Sequence, residues 1–233
     1  MHVHLPKPLH GWREFTGEVG IIVVGVLIAL AAEQVVEQFN WRERVHQAEA
    51  SMSKELSEDD GAQAYERYAM DPCIVRELDR TEQALIAERD RHVPFAPPAL
   101  LPPPSRSWDQ NAWQAASSSG ATSHMSADRM YLWSGPYALI PDMNQGALRE
   151  SQDWAEIERI NTVSIHPSEA ERERIMGALA RARQDNEFLK FMSRVFLRSS
   201  KQAGVSVPAS LQRRAVSELP TQLTRCATSS DAE

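Results

Sequence analysis

Ser51-Met52-Ser53-Lys54 has the SxxK spacing, in which a lysine one helical turn from a serine assists its attack as a nucleophile. No SDN or KTG element accompanies it, so Ser51 is expected to be an ordinary helix residue rather than a nucleophile. The histidines His2, His4, His10, His46, His92, His124 and His166 are scattered, with neither HExxH nor facial-triad spacing, and no metal site or cofactor is expected. No phosphate-binding glycine loop, nucleophile elbow or paired-carboxylate signature stands out. Two cysteines remain, Cys73 and Cys226, without a CxxC motif. In an oxidising compartment they could pair across a loop of about 150 residues; the alternative is two unrelated free thiols. Trp108, Trp113 and Trp133 could floor a binding pocket, although packing in a core is the commoner use of such residues.

The elements that would carry these residues begin with an uncharged apolar run, Val19–Ala32. It has three readings: a buried core helix, a signal peptide cleaved after Ala29-Leu30-Ala31, or a membrane span extending from about Phe15 to Val36. The span is preferred. Trp12 and Phe15 precede the run and Phe39 and Trp41 follow it, and the helical rise from Trp12 to Trp41 is about 43 Å, close to a full bilayer with its interfaces. The pattern also continues past Ala31 without a turn signal, and Glu18 sits where a signal peptide disfavours an acid. Lys7 and Arg13 before the span balance Arg42 and Arg44 after it, so basic residues alone do not orient it. The short leader suits an N-terminus in the cytoplasm and an exported C-terminal domain. Within the span Gly25, Ala29 and Ala32 share a helix face, with Glu18 two turns earlier, which suits close approach of a second copy or of a partner membrane protein's helix. Glu18 and Glu33 lie about 22 Å apart near opposite membrane edges, with no relay residue between them, so they are expected to be solvated at the interfaces rather than to form an ion path.

Gly17-Glu18 followed by IIVVGVLIALAAEQVVE, behind the leader HLPKPLHGWREF, resembles the N-terminus of a family of bacterial single-pass membrane proteins, over about the first 45 residues. The resemblance implies a membrane anchor in a Gram-negative bacterium. It implies no activity, catalytic residue or ligand.

Beyond the anchor, helical periodicity dominates the chain. Phe39, Val45, Ala48, Met52 and Leu56 continue the first helix, and the acidic SEDDG at 57–61 is expected to loosen it before Tyr65 and Tyr68. Asp71-Pro72 predicts a helix start, with Asp71 as cap and Ile74, Leu78, Thr81 and Leu85 as its buried stripe. The six prolines of 92–107 predict a stiff extended connector. Trp108 and Trp113 should open the next helix. Gly135-Pro136 should split the following region into two short helices or kink it. Leu148, Trp154, Ile157 and Ile160 read as a further helix. After His166-Pro167-Ser168 a long amphipathic helix carries Ile175, Leu179, Ala182, Leu189, Met192 and Phe196, ended by Gly204. A short helix from about Pro208 and a polar tail follow, and no alternating run suggests a sheet.

The expected organisation is a leader at 1–14, a transmembrane helix at 15–37 and an all-α bundle at 38–233. With 233 residues and 42% hydrophobic content the chain can bury a real core. Its formal charge of −7 is spread along the chain and offers no basic footprint for nucleic acid. The expected role is a bacterial inner-membrane protein whose periplasmic bundle acts as an interaction, scaffold or ligand-sensing module and is more readily non-enzymatic. The alternatives are an envelope enzyme without a recognisable motif and an accessory subunit of a transporter or channel.

Overall fold

The computed structural model describes residues 11–95, 103, 107–161 and 166–217; among these every regular element is helical and no strand occurs. The chain is all-α, one long apolar N-terminal helix followed by other helices that pack together. It divides into two compact units, Met1–Gln47 and Ala48–Glu233. The first unit is built on α1 (Gly11–Lys54), which is long and apolar enough to cross a membrane and whose most apolar stretch is 0% buried.

In the second unit the helix changes its repeat over the start of the acidic run SEDDG. Glu55–Asp59 form a π-helical turn, after which α2 (Asp60–Ala69) resumes the α-helix. The widened turn brings backbone close to Gly61. A Cβ there would lie 2.2 Å from the Leu56 carbonyl oxygen and 2.8 Å from Val207 Cγ2. Because the first clash is with backbone, Gly61→Ala is expected to destabilise the bundle by about 2 kcal/mol or more, read as a lower urea midpoint. An unchanged midpoint would show that the π-turn relaxes freely.

The helix α3 (Asp71–Arg91) starts where Asp71-Pro72 predicts, but Asp71 is not its cap. Met70 holds that position, and its carbonyl accepts from the Cys73 and Ile74 amides. The Asp71 carboxylate is used elsewhere, as described below. The 35-residue α5 (Ala127–Asn161) is a larger departure from the two short helices expected at Gly135-Pro136, since one helix runs through Pro136 and Pro141 and takes in the further helix expected around Leu148 and Trp154. Proline at 141 removes the intrahelical donor for the Tyr137 carbonyl. Gln110 Nε2 donates to that carbonyl at 2.6 Å, so a side chain from outside the helix replaces the missing bond. Gln110 immediately precedes α4 (Asn111–Ser118), which begins after Trp108 rather than at it.

The helix α6 (Glu169–Gln202) has the signals its sequence announces. Ser168 Oγ accepts from the Glu171 amide at 3.3 Å and Glu171 Oε2 accepts from the Ser168 amide at 2.7 Å, a reciprocal capping box. Gly204, at φ +86°, ends it in the left-handed conformation that glycine adopts without strain. A shorter α7 (Ala209–Ser217) follows. Helices α5 and α6 form an antiparallel pair. A Cβ on Gly135 would lie 2.7 Å from Ser199 Oγ and one on Gly146 would lie 2.8 Å from the Phe188 ring. Arg149 then meets Asp185, and Asp153 meets Arg181, so the register runs evenly along both helices.

Along this pair the core falls into two apolar clusters. One gathers Cys73, Ile74, Leu78 and Leu85 of α3 with Trp154, Ile157, Ile175 and Leu179. The other gathers Met52, Leu56 and Ala64 with Trp133, Tyr137, Ile140, Leu189 and Phe196. The residues between the two clusters are polar.

Candidate functional site

Among the buried polar side chains of α2, α3, α5 and α6, one from each helix meets the others at a common level. Arg67 follows Ala64 by three residues, Glu150 precedes Trp154 by four, and Asn186 stands midway between Ala182 and Leu189. All three are buried, as is Asp71. Arg67 Nη2 donates to Glu150 Oε1 at 2.6 Å and to Asn186 Oδ1 at 2.9 Å. Asn186 Nδ2 then donates to Asp71 Oδ1 at 2.8 Å, and Lys190 Nζ lies 2.7 Å from Asp71 Oδ2. A connected polar layer thus crosses the bundle between the apolar clusters.

Its electrostatics are strained in opposite directions. Burial disfavours the charged form and lowers the Arg67 pKa against the pull of Glu150, while burial raises the Glu150 pKa against the pull of Arg67. At the exposed end the hydrogen bond to Asp71 raises that of Lys190. Among the described residues Arg67 Nε and Nη1 meet no acceptor. The layer brings together a guanidinium, an amide, an ammonium and two carboxylates. It is well suited to fixing one register of packed helices, since a slip along any helix would strand a buried charge.

A second polar group surrounds the π-turn. The Asp60 Oδ1 accepts from the Asp109 amide at 3.0 Å, and Glu55 Oε2 accepts from the Ala112 amide at 3.0 Å. Asn144 is bonded twice to the Trp108 backbone, accepting from its amide at 2.9 Å and donating to its carbonyl at 2.8 Å. Together with Gln110 these side chains hold the entry to α4 against the bundle. Desolvation is the main reason that the Asp60 carboxyl is raised to about 7, with Glu55, Asp109 and Asp59 adding to it and the Asp109 amide opposing it. Burial and the neighbouring Glu55 carboxylate likewise push the Tyr137 phenol up. The end of α1 is held separately by Glu49, which accepts from Trp133 Nε1 at 3.2 Å and pairs with Arg129.

The structure separates the residues singled out from sequence. Trp108 and Trp133 are buried in the second apolar cluster, and Trp113 packs beside it with its ring stacked on Tyr137 at 5.6 Å. The groove of about 640 Å³ between α3 and α6 is lined instead by Leu85, Ile86, Arg89, Arg172 and Met176 among others. Cys73 is 1% exposed in the first cluster, while Cys226 lies outside the described residues. In α1, Glu18, Gly25, Ala29 and Ala32 are exposed, and a Cβ built on Gly25 has nothing within 4 Å. Ser51 and Lys54 are on exposed helix surface. Among the described residues no three His, Cys, Asp or Glu side chains are placed to hold a metal ion. The polar layer escaped the sequence reading although its signal was present. The α6 stripe steps from Ala182 to Leu189, and the residue needed to complete the three-or-four spacing is Asn186.

Fold and layer together define an all-α protein with one long apolar N-terminal helix and a polar-layered bundle. No protein-family model matches the chain, and no curated protein or solved structure is found to match it.

Proposed function

We propose that the protein is a single-pass inner-membrane protein whose bundle serves as a non-enzymatic interaction or scaffold module in the periplasm. The observation that carries this reading is the apolar surface of α1. Ile21, Ile22, Val24, Leu27, Ile28 and Leu30 are each at least half exposed along one uncharged stretch. Apolar surface of this extent is stable in hydrocarbon and unfavourable in water. Trp12 and Phe15, whose ring centroids are 6.2 Å apart, stand before the stretch, and Phe39 and Trp41 after it, as interface anchors do. The interaction role draws its support from the polar layer, which holds the bundle in one register and so presents a fixed surface.

An exported bundle would also allow Cys73 and Cys226 to pair. Two features support that pairing: no cysteine among the described residues is free, and Val216, ten residues before Cys226, packs against the cluster holding Cys73. The test is membrane fractionation of the full chain with alkaline phosphatase or a cytoplasm-only fluorescent protein fused to its C-terminus. Phosphatase activity in carbonate-resistant membranes, with the N-terminal residues retained, is the expected result. Fluorescence in place of phosphatase activity would reverse the orientation, and a soluble, shortened product would identify α1 as a cleaved signal.

A further inference from the structure

Immediately past the apolar stretch, α1 carries two arginines that each lie over an aromatic ring three residues earlier. The Arg42 guanidinium carbon is 5.9 Å from the Phe39 ring centroid, and that of Arg44 is 4.8 Å from the Trp41 ring centroid. Helical side chains lean toward the N-terminus, so both cations are drawn back toward the apolar run. By helical rise they follow Val36 by about 9 and 12 Å, just beyond the hydrocarbon edge and within reach of the headgroups. Residues 42 and 44 are two apart, so they lie on nearly opposite faces of the helix.

Acidic neighbours do not neutralise them. Glu37 accepts from Trp41 Nε1 at 3.4 Å and Glu43 accepts from Gln47 Nε2 at 2.8 Å, both neutral donors. Among the described residues neither Arg42 nor Arg44 makes an ion pair or a hydrogen bond, and both are exposed. Stacking on an aromatic face leaves the in-plane N–H groups of a guanidinium free, and their forked geometry matches phosphate oxygens. We propose that Arg42 and Arg44, held over Phe39 and Trp41, form a two-sided clamp for the phosphates of anionic phospholipid headgroups. This rests on the membrane-anchored reading and names the lipid chemistry that α1 selects.

The full chain, carrying Trp12→Phe so that Trp41 is the remaining tryptophan of α1, is reconstituted in phosphatidylcholine bilayers containing phosphatidylglycerol. One lipid or the other is brominated in its acyl chains, and tryptophan quenching is measured. Brominated phosphatidylglycerol should quench more strongly than brominated phosphatidylcholine, and Arg42→Gln or Arg44→Gln should each reduce the preference by about fivefold. Arg42→Lys and Arg44→Lys should retain most of it if charge dominates and lose half or more if the forked donor geometry matters; either result supports a phosphate clamp when the glutamine variants lose the preference. Equal quenching by the two lipids, or a preference that survives both glutamine substitutions, overturns the clamp and leaves the anchor intact. Absence of quenching by either lipid overturns the anchor as well.

Discussion

Replacing Glu150 with alanine is expected to lower the unfolding free energy by about 3–5 kcal/mol, the usual cost of stranding one member of a buried ion pair. Arg67 would keep its bond to Asn186 but lose the carboxylate 2.6 Å away, in a site where both side chains are less than a tenth exposed. For a chain of this size the loss corresponds to a fall of roughly 6–20 °C in Tm. The paired replacement Arg67→Met with Glu150→Leu removes both desolvation penalties and should be closer to the parent protein than either single change. Thermal and urea unfolding of the parent, Glu150→Ala, Arg67→Met, Glu150→Leu and the double variant separates the cases. A Glu150→Ala variant within 1 kcal/mol of the parent, or a double variant that costs the sum of the singles, would show that the layer does not work as a buried charge pair.

Asp60→Asn should stabilise the protein near neutral pH and above. The Asp60 carboxyl is buried and its pKa is raised from 3.8 to about 7, chiefly by desolvation. Between those values the folded chain keeps a proton that the unfolded chain has released, so stability falls as pH rises and reaches its floor once the pH passes about 7. The full span corresponds to roughly 4 kcal/mol by proton linkage. Asparagine retains an oxygen for the Asp109 amide and carries no charge, so the variant should lack this descending limb. Urea midpoints at about pH 5 and about pH 8 measure it. The parent should be weaker at the higher pH, with the variant gaining on it there; parallel profiles would mean that Asp60 is ionised in the folded protein without cost.

The two predictions act at places that differed greatly in how far they could be foreseen. Element type was legible because helix periodicity, caps and breakers are local. The α6 stripe from Ile175 to Phe196, the capping box of Ser168 and Glu171, and Gly204 in the left-handed region are each decided within a few residues of chain. The apolar run Val19–Ala32 likewise carries its own signal, since length and hydropathy alone make α1 long and apolar enough to cross a membrane. Local rules failed where a distant group changed the balance. Gly135-Pro136 reads as an interruption, yet α5 continues through it and through Pro141, where a glutamine 31 positions earlier in the chain supplies the lost donor to Tyr137. Asp71 reads as a helix cap until Asn186, 115 residues away, claims its carboxylate.

The polar layer shows the division most clearly. Arg67, Glu150 and Asn186 stand at positions that helical spacing marks as buried, and this much belonged to the sequence. Their mutual pairing did not, because hydrogen bonds between residues 83 and 119 positions apart depend on how α2, α5 and α6 dock. Helical periodicity assigns a face to each residue; only the packed bundle decides which residue on another helix that face will meet.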